Sequence, residues 1–326
     1  MIDLTTNFAG LRLSNPVIAG SSGLTRNLSK IKELTDAGIG AVVLKSLFEE
    51  QIEMQGANLL DLSNYPEAAD YISNYVKSDE INNYLNFIRE VKREVSIPVI
   101  ASINCYKSDS WVSFAKSVEE AGADALEVNM MRVETDLFGN PTEVVDEYVR
   151  VTEALVKRVS IPVIVKLSRF HVNMPALVDK LRAVGAKAVT LVNRAYQTDV
   201  DIDNIKLSSG NIFTDSDDLS DTLRFTGLVT GLVGRIDVSA STGVHEYKDV
   251  VKCLLVGATT VQMCSAIYQK GAIAVKEAIE GLEKWMKQKG YYNISEFRGK
   301  LNAKNLPSVT QFERMQFMKY FSNRDK

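Results

Sequence analysis

Eight short apolar runs, rich in β-branched residues and separated by stretches of helical periodicity, constrain this chain more than any other feature. They are PVIAGSS (16–22), AVVLKS (41–46), PVIASIN (98–104), ALEVNM (125–130), PVIVKLS (162–168), AVTLVN (188–193), RIDVSAS (235–241) and TTVQMCSA (259–266). Most are apolar throughout rather than alternating, the pattern of parallel strands covered on both faces. Between them lie amphipathic segments such as WVSFAKSVEEAGA (111–123) and MPALVDKLRAVGA (174–186). Helical stretches close at Gly38, Gly122, Gly185 and Gly257, where a left-handed residue ends a helix without a Cβ penalty.

Eight strand–helix units within roughly 250 residues fit a (β/α)8 barrel. A doubly wound sheet would more naturally use five or six strands and a glycine-rich first turn. No G-x-G-x-x-G follows the first strand here. The pentapeptide SIPVI recurs at 96–100 and 160–164, as a pseudo-repeated architecture would allow. The expectation is therefore one α/β domain, a TIM barrel spanning 1–326. Residues 47–96 and 194–220 are expected to be inserted or lid segments at the C-terminal mouth, and 301–326 a C-terminal extension that caps the barrel or joins a subunit contact.

Composition narrows the function classes. The chain has 326 residues, 45% hydrophobic and 24% charged, as in soluble globular proteins. A formal net charge of −3 gives no reason to expect nucleic acid or an acidic membrane surface as partner. No apolar run approaches the roughly 18 residues of a membrane span. The opening MIDLTTNFAGLRL has neither the basic nor the apolar region of a secretory signal, so a cytoplasmic location is expected. Cys105, Cys253 and Cys264 are widely spaced and form no C-x-x-C, which argues against a disulfide framework and a zinc site.

In a barrel, strand ends converge on one mouth. The residues brought there would be Ser22, Lys45, Ser46, Asn104, Cys105, Asn129, Lys166 and Asn193, with Thr242, Gly243, Cys264 and Ser265 at the last two strands. Lysine is rarely buried without a partner, so Lys45 and Lys166 each require an anion, a polar ligand or a neighbouring carboxylate. Convergence of both with three asparagines favours a ligand site. The STGV and CSA turns would present backbone N–H groups to a phosphate, in the loops where barrels frequently bind one. His171 and His245 are loop residues without a carboxylate at fixed spacing, and support no metal site or triad. Cys105 and Cys264 read as small buried side chains. A flavin-free lyase barrel with a Schiff base on Lys45 or Lys166 stays open at this point.

With the strand ends aligned, the chain resembles the dihydroorotate dehydrogenase family, nearest its soluble class 1 members. The resemblance spans roughly residues 4–301. SNPVIAGSSGLT, VVLKS, IPVIVKLS, LVN at 191–193, LLVGATTVQMCSAIYQKG and WMKQKGYYNISEFRGKL carry it. It implies an FMN-dependent (β/α)8 barrel. Ser22 then matches a serine near the flavin, and Lys45 and Ser46 a pair that meets flavin and substrate. Asn129 matches an asparagine touching both. Lys166 matches a lysine beside the flavin pyrimidine ring, where positive charge stabilises the anionic reduced form. Val192 and Asn193 match a flavin-contacting valine and a substrate-contacting asparagine. Thr242, Gly243, Cys264 and Ser265 occupy the phosphate-binding turns.

The substrate face departs from this pattern. Where the family reads N-L-S-C-P-N, this chain has Asn129-Met130-Met131-Arg132-Val133-Glu134. Arg132 stands at the proton-abstracting cysteine or serine, and a guanidinium, with a pKa above about 12, cannot be that base. It can instead clamp a carboxylate or phosphate. Glu134 replaces a family asparagine and is the nearest candidate base, with water as the alternative. GANLLDLSNYP (56–66) lacks the family's M-G-L-P-N loop, and LSDTLRFTG stands where a glycine pair is expected before the seventh strand. The resemblance thus implies hydride transfer from a dihydropyrimidine-like substrate to FMN, in pyrimidine biosynthesis if the family reaction is kept. A separate soluble electron acceptor follows, because the chain has no iron–sulfur cysteine pattern; a homodimer is compatible. An altered-substrate or non-catalytic FMN-binding relative is the alternative.

Overall fold

The computed structural model describes residues 2–48, 69–104, 108–131, 135–194 and 197–313. It opens with an antiparallel hairpin of β1 (Thr6–Phe8) and β2 (Leu11–Leu13). Ala9 and Gly10 turn it with φ of 53° and 87°. Two consecutive left-handed residues match the twist of a tight hairpin.

The strands that follow are β3 (Val17–Ala19), β4 (Ala41–Val43), β5 (Leu47–Phe48), β6 (Val99–Asn104), β7 (Ala125–Met130) and β8 (Val163–Ser168). After them come β9 (Ala188–Asn193), β10 (Thr198–Asp201), β11 (Lys206–Ser209), β12 (Asp237–Ser241) and β13 (Thr260–Met263). Eight of these, β3, β4, β6, β7, β8, β9, β12 and β13, pair in parallel, and β13 returns to β3. The closed ring with helices between its strands is the (β/α)8 barrel that the eight runs predicted, and each run contains one strand.

The connecting helices include α1 (Leu28–Asp36), α2 (Ala69–Glu94), α3 (Ser108–Glu120), α4 (Pro141–Arg158) and α5 (Met174–Ala183). Then follow α6 (Leu219–Leu232), α7 (Tyr247–Leu255), α8 (Ser265–Lys270) and α9 (Ile273–Lys289). Gly38, Gly122, Gly185 and Gly257 all take positive φ, between 90° and 111°, just beyond their helices. In α2, Leu85, Ile88 and Val91 are buried in the barrel's shell. Residues 49–68 lie outside the described residues. Segment 194–220 contains the β10–β11 hairpin, whose Ile202, Ile205 and Leu207 are exposed.

Strand pleating sorts the side chains into two sets. Val99, Ala101 and Ile103 of β6 face the helices, as do Val163 and Val165 of β8. Ile100, Ala125, Ile164 and Ala188 face the barrel axis and cluster with Phe8 and Leu13 of the hairpin. The β1–β2 hairpin therefore plugs the N-terminal end of the barrel. Ala9 N donates to Asp237 Oδ2 at 2.8 Å, which fastens the plug to the first residue of β12. The C-terminal stretch from Leu301 lies along α7 and α6: Leu301 N donates to Leu255 O and Ala303 N to Gly227 O. Phe312 packs so closely on Gly227 that a Cβ there would sit 2.3 Å from its ring. Among the described residues no helix is long and apolar enough to cross a membrane.

Phe8 is fully buried. Phe8→Ala should destabilise the fold by about 3–5 kcal/mol, read as a lower urea midpoint, because the hollow between strand starts cannot collapse onto it.

Candidate active site

The mouth opposite the plug holds a cavity of about 340 Å³. That lies within the range of roughly 300–1,000 Å³ typical of small-molecule sites. Lys45, Ser46, Asn129, Lys166 and Asn193 line it, and so do Thr242, Gly243, Cys264, Ser265 and Asn104. Val192 instead lines an adjoining cavity of about 430 Å³ that shares Asn193 and Thr242 with the first. Ser22 is buried and lines neither cavity; its backbone N–H donates to Thr25 Oγ1 at 3.1 Å. Cys105, Arg132 and Glu134 lie outside the described residues.

Strand pairing explains the convergence. Asn129 stands opposite Lys166 between β7 and β8, and Ser168 opposite Asn193 between β8 and β9. Asn193 Nδ2 donates to Asn129 Oδ1 at 2.8 Å, which ties two predicted ligand groups into one donor–acceptor unit. A hydroxyl chain runs beside them: Ser21 Oγ lies 3.0 Å from Ser46 Oγ, which lies 2.7 Å from Ser102 Oγ. The turn after β12 carries φ of 82° at Thr242 and 80° at Gly243. A Cβ on Gly243 would sit 2.3 Å from Leu219 N, so this turn packs directly on the start of α6, in the LSDTLRFTG stretch. Thr242 Oγ1 donates to Val192 O at 2.7 Å and links the two cavities.

The two lysines resolve differently. Lys166 meets a carboxylate, Glu127 Oε1, at 3.6 Å, and also lines the cavity. Lys45 lies 4.4 Å from the Phe48 ring centroid. Burial lowers its pKa; nearby Cys264 acts the other way, and Arg26 and Lys166 add to the lowering. Burial in turn raises the Cys264 thiol, against the Ser22 hydrogen bond and both lysines.

Sequence reasoning passed over several members of the site. Glu127 and Gln262 sit mid-strand in apolar runs, and the signal was their inward phase, two residues before Asn129 and Cys264. Arg194 follows the LVN motif and lines both cavities; its Nη1 donates to Ile212 O at 3.1 Å. Thr214 reaches over the last turns: its N–H donates to Ser265 Oγ at 3.0 Å, and its Oγ1 lies 2.9 Å from His245 Nε2. His171 packs edge-on against Tyr148, ring centroids 5.1 Å apart. Among the described residues no cluster of three or more His, Cys, Asp or Glu is placed to hold a metal.

This arrangement can be set against known proteins. A family model described as "Dihydroorotate dehydrogenase" matches residues 3–286. The chain belongs to the dihydroorotate dehydrogenase family. Among its relatives is "Dihydroorotate dehydrogenase B (NAD(+)), catalytic subunit" of Thermoplasma volcanium, 26% identical over 92% of this chain and 98% of that one. "Putative dihydroorotate dehydrogenase A (fumarate)" of Aeropyrum pernix is 26% identical over 91% and 97%. "NAD-dependent dihydropyrimidine dehydrogenase subunit PreA" of Escherichia coli K12 is 24% identical over 94% and 78%.

Burial alone holds the His171 pKa below its ordinary 6.5. The folded state thus favours the neutral ring, while the unfolded chain gains a proton as pH falls through about 6.5. Its contribution to stability is present above that pH and lost below it. Thermal midpoints should fall between pH 7 and 5.5, and His171→Phe should flatten that slope. An unchanged slope would assign the effect to His245, whose pKa is also lowered, chiefly by burial.

Proposed function

We propose that this chain is an FMN-dependent oxidoreductase acting on the CH–CH bond of an anionic, dihydropyrimidine-like substrate. The observation that carries the reading is the charge of the cavity. Lys45, Lys166 and Arg194 line it, and among the described residues no carboxylate does. Such a lining suits a ligand with phosphate, ring oxygens and an acidic ring system, and it would repel a cationic one. Membership of the family, and relatives named for dihydroorotate and dihydropyrimidine, support the same class.

The residues present fit FMN. The Thr242–Gly243 and Cys264–Ser265 turns would hold the phosphate, with Ser22, Ser46, Asn129 and Val192 around the ring system and Lys166 beside its pyrimidine edge. FMN when bound supplies the hydride acceptor. Lys45, Asn129, Asn193 and Arg132 would orient the substrate. Arg132 stays protonated, so the substrate proton goes to Glu134 or to water. A separate soluble acceptor would take up the electrons. Retention of the family reaction would place the enzyme in pyrimidine biosynthesis.

Lys45 favours a second reading on one observation, its desolvated ammonium with lowered pKa, which is what a Schiff-base lysine needs. An absorption spectrum separates the two. The purified protein should be yellow, and anaerobic dihydroorotate should bleach it. Yellow protein that does not bleach keeps the cofactor and points to a different substrate or a non-catalytic FMN-binding relative. Colourless protein that borohydride links to a carbonyl substrate would overturn the flavin reading.

Arg194 offers a check on the anion argument. Removing a charge-assisted contact generally costs about 1.5–3 kcal/mol, so Arg194→Ala should raise KM for an anionic substrate about tenfold or more. Neutral analogues should be affected far less.

A further inference from the structure

Beneath the cavity floor, the barrel interior holds a buried carboxylate that the proposed chemistry does not use. Glu127, on β7, is 1% exposed. Its Oε2 accepts from Thr190 Oγ1 of β9 at 2.8 Å and from Gln262 Nε2 of β13 at 2.8 Å. Oε1 accepts no hydrogen bond from any described residue and faces Lys166 Nζ at 3.6 Å. Lys166 Nζ in turn donates to Gln262 Oε1 at 3.4 Å. One carboxamide therefore bridges carboxylate and ammonium, and strands β7, β8, β9 and β13 all contribute to the knot. Only the barrel axis lets those strands meet.

Stability alone does not explain such a knot. Replacing a buried ion pair by well-packed uncharged groups is often neutral or stabilising. The same layer contains Ser102 and Thr190, which are fully buried without charge. The carboxylate instead faces an ammonium that forms part of the cavity floor. Its negative charge is felt at this level of the barrel: the Tyr84 phenol is pushed up mainly by burial, with Glu127 adding to the rise against a hydrogen bond at Ser102.

We propose that Glu127 is a positioning residue for Lys166: held by Thr190 and Gln262, it fixes the ammonium at the cavity floor and offsets its charge, and so sets the redox potential of the flavin above it. This rests on the FMN reading. A bare lysine at that place would stabilise reduced flavin and hold its electrons back. The carboxylate behind it offsets that effect and lowers the couple.

The test is a spectroelectrochemical titration of holoprotein carrying Glu127→Gln, which keeps the shape and removes the charge. The midpoint should rise by about 30 mV or more, a tenfold gain in preference for reduced over oxidised flavin in a two-electron couple. Against a Lys166→Met background the same substitution should produce no shift. A role confined to stability would lower the thermal midpoint and leave the potential unchanged, which overturns the proposal. A shift that persists in the Lys166→Met background overturns it too, because Glu127 would then act on the flavin directly. Infrared spectra of the wild-type holoprotein give an answer if the variants fail to fold. Absence of a buried protonated-carboxyl band at neutral pH supports the ion pair, and its presence refutes it. Protein that takes up no FMN at all fails the functional reading instead, so the two failures are distinguishable.

Discussion

The register in which β7, β8 and β9 pair sets the contacts at the mouth of the barrel. Asn129 meets Lys166 across one pair, and Ser168 meets Asn193 across the next. Because side chains alternate along a strand, a slip of one residue would turn Glu127, Asn129 and Lys166 outward among the helices and bring valines inward. The outward valines Val128 and Val165 resist that slip, since each is fully buried in the main core. Packing on the outside of the barrel thereby fixes chemistry on the inside.

The axis is organised in three levels that follow from this pleat. The lowest is apolar, where Phe8 and Leu13 close the strand starts. The middle level is polar and hydrogen-bonded across the axis by Glu127, Thr190 and Gln262. The upper level is the cavity, with cationic groups at its floor and rim. Charge at the mouth is tolerable because a carboxylate lies one level below, and that carboxylate is tolerable because two donors and an ammonium face it. The apolar plug keeps water from entering at the far end, where it would weaken all of these interactions.

Much of the barrel was legible because parallel strands covered on both faces leave uninterrupted apolar runs. The turn glycines were legible for a local reason, since left-handed φ has few other occupants. The opening hairpin was not: its strands have three residues each, and Ala9 rather than Asn or Gly takes the first left-handed position. Lys45 and Lys166 could be found at strand ends, but their partners could not. Glu127 and Gln262 look like interruptions in apolar runs until closure of the ring brings β13 across from β7. Arg194 was hidden by its place in a loop without periodicity. The segment containing Arg132 and Glu134 was legible only as a departure from the family pattern, and it lies outside the described residues.

That distribution bears on how substrate and acceptor are chosen. The relatives' names differ in acceptor, NAD(+) in one and fumarate in another, and one is named for dihydropyrimidine rather than dihydroorotate. Each nonetheless aligns with more than nine-tenths of this chain. Function in barrels varies through the loops above the strands while the strand ends hold the common chemistry. In this chain most of the strand-end groups line one cavity, and the departures from the family pattern fall at 56–66, 130–134 and 219–227 of the sequence. Lys166 keeps the family pattern read in the sequence, and Met131-Arg132-Val133-Glu134 departs from it. A substrate that differs from dihydroorotate would therefore be selected by Arg194 at the cavity wall, without altering the Lys166–Glu127 pair below it.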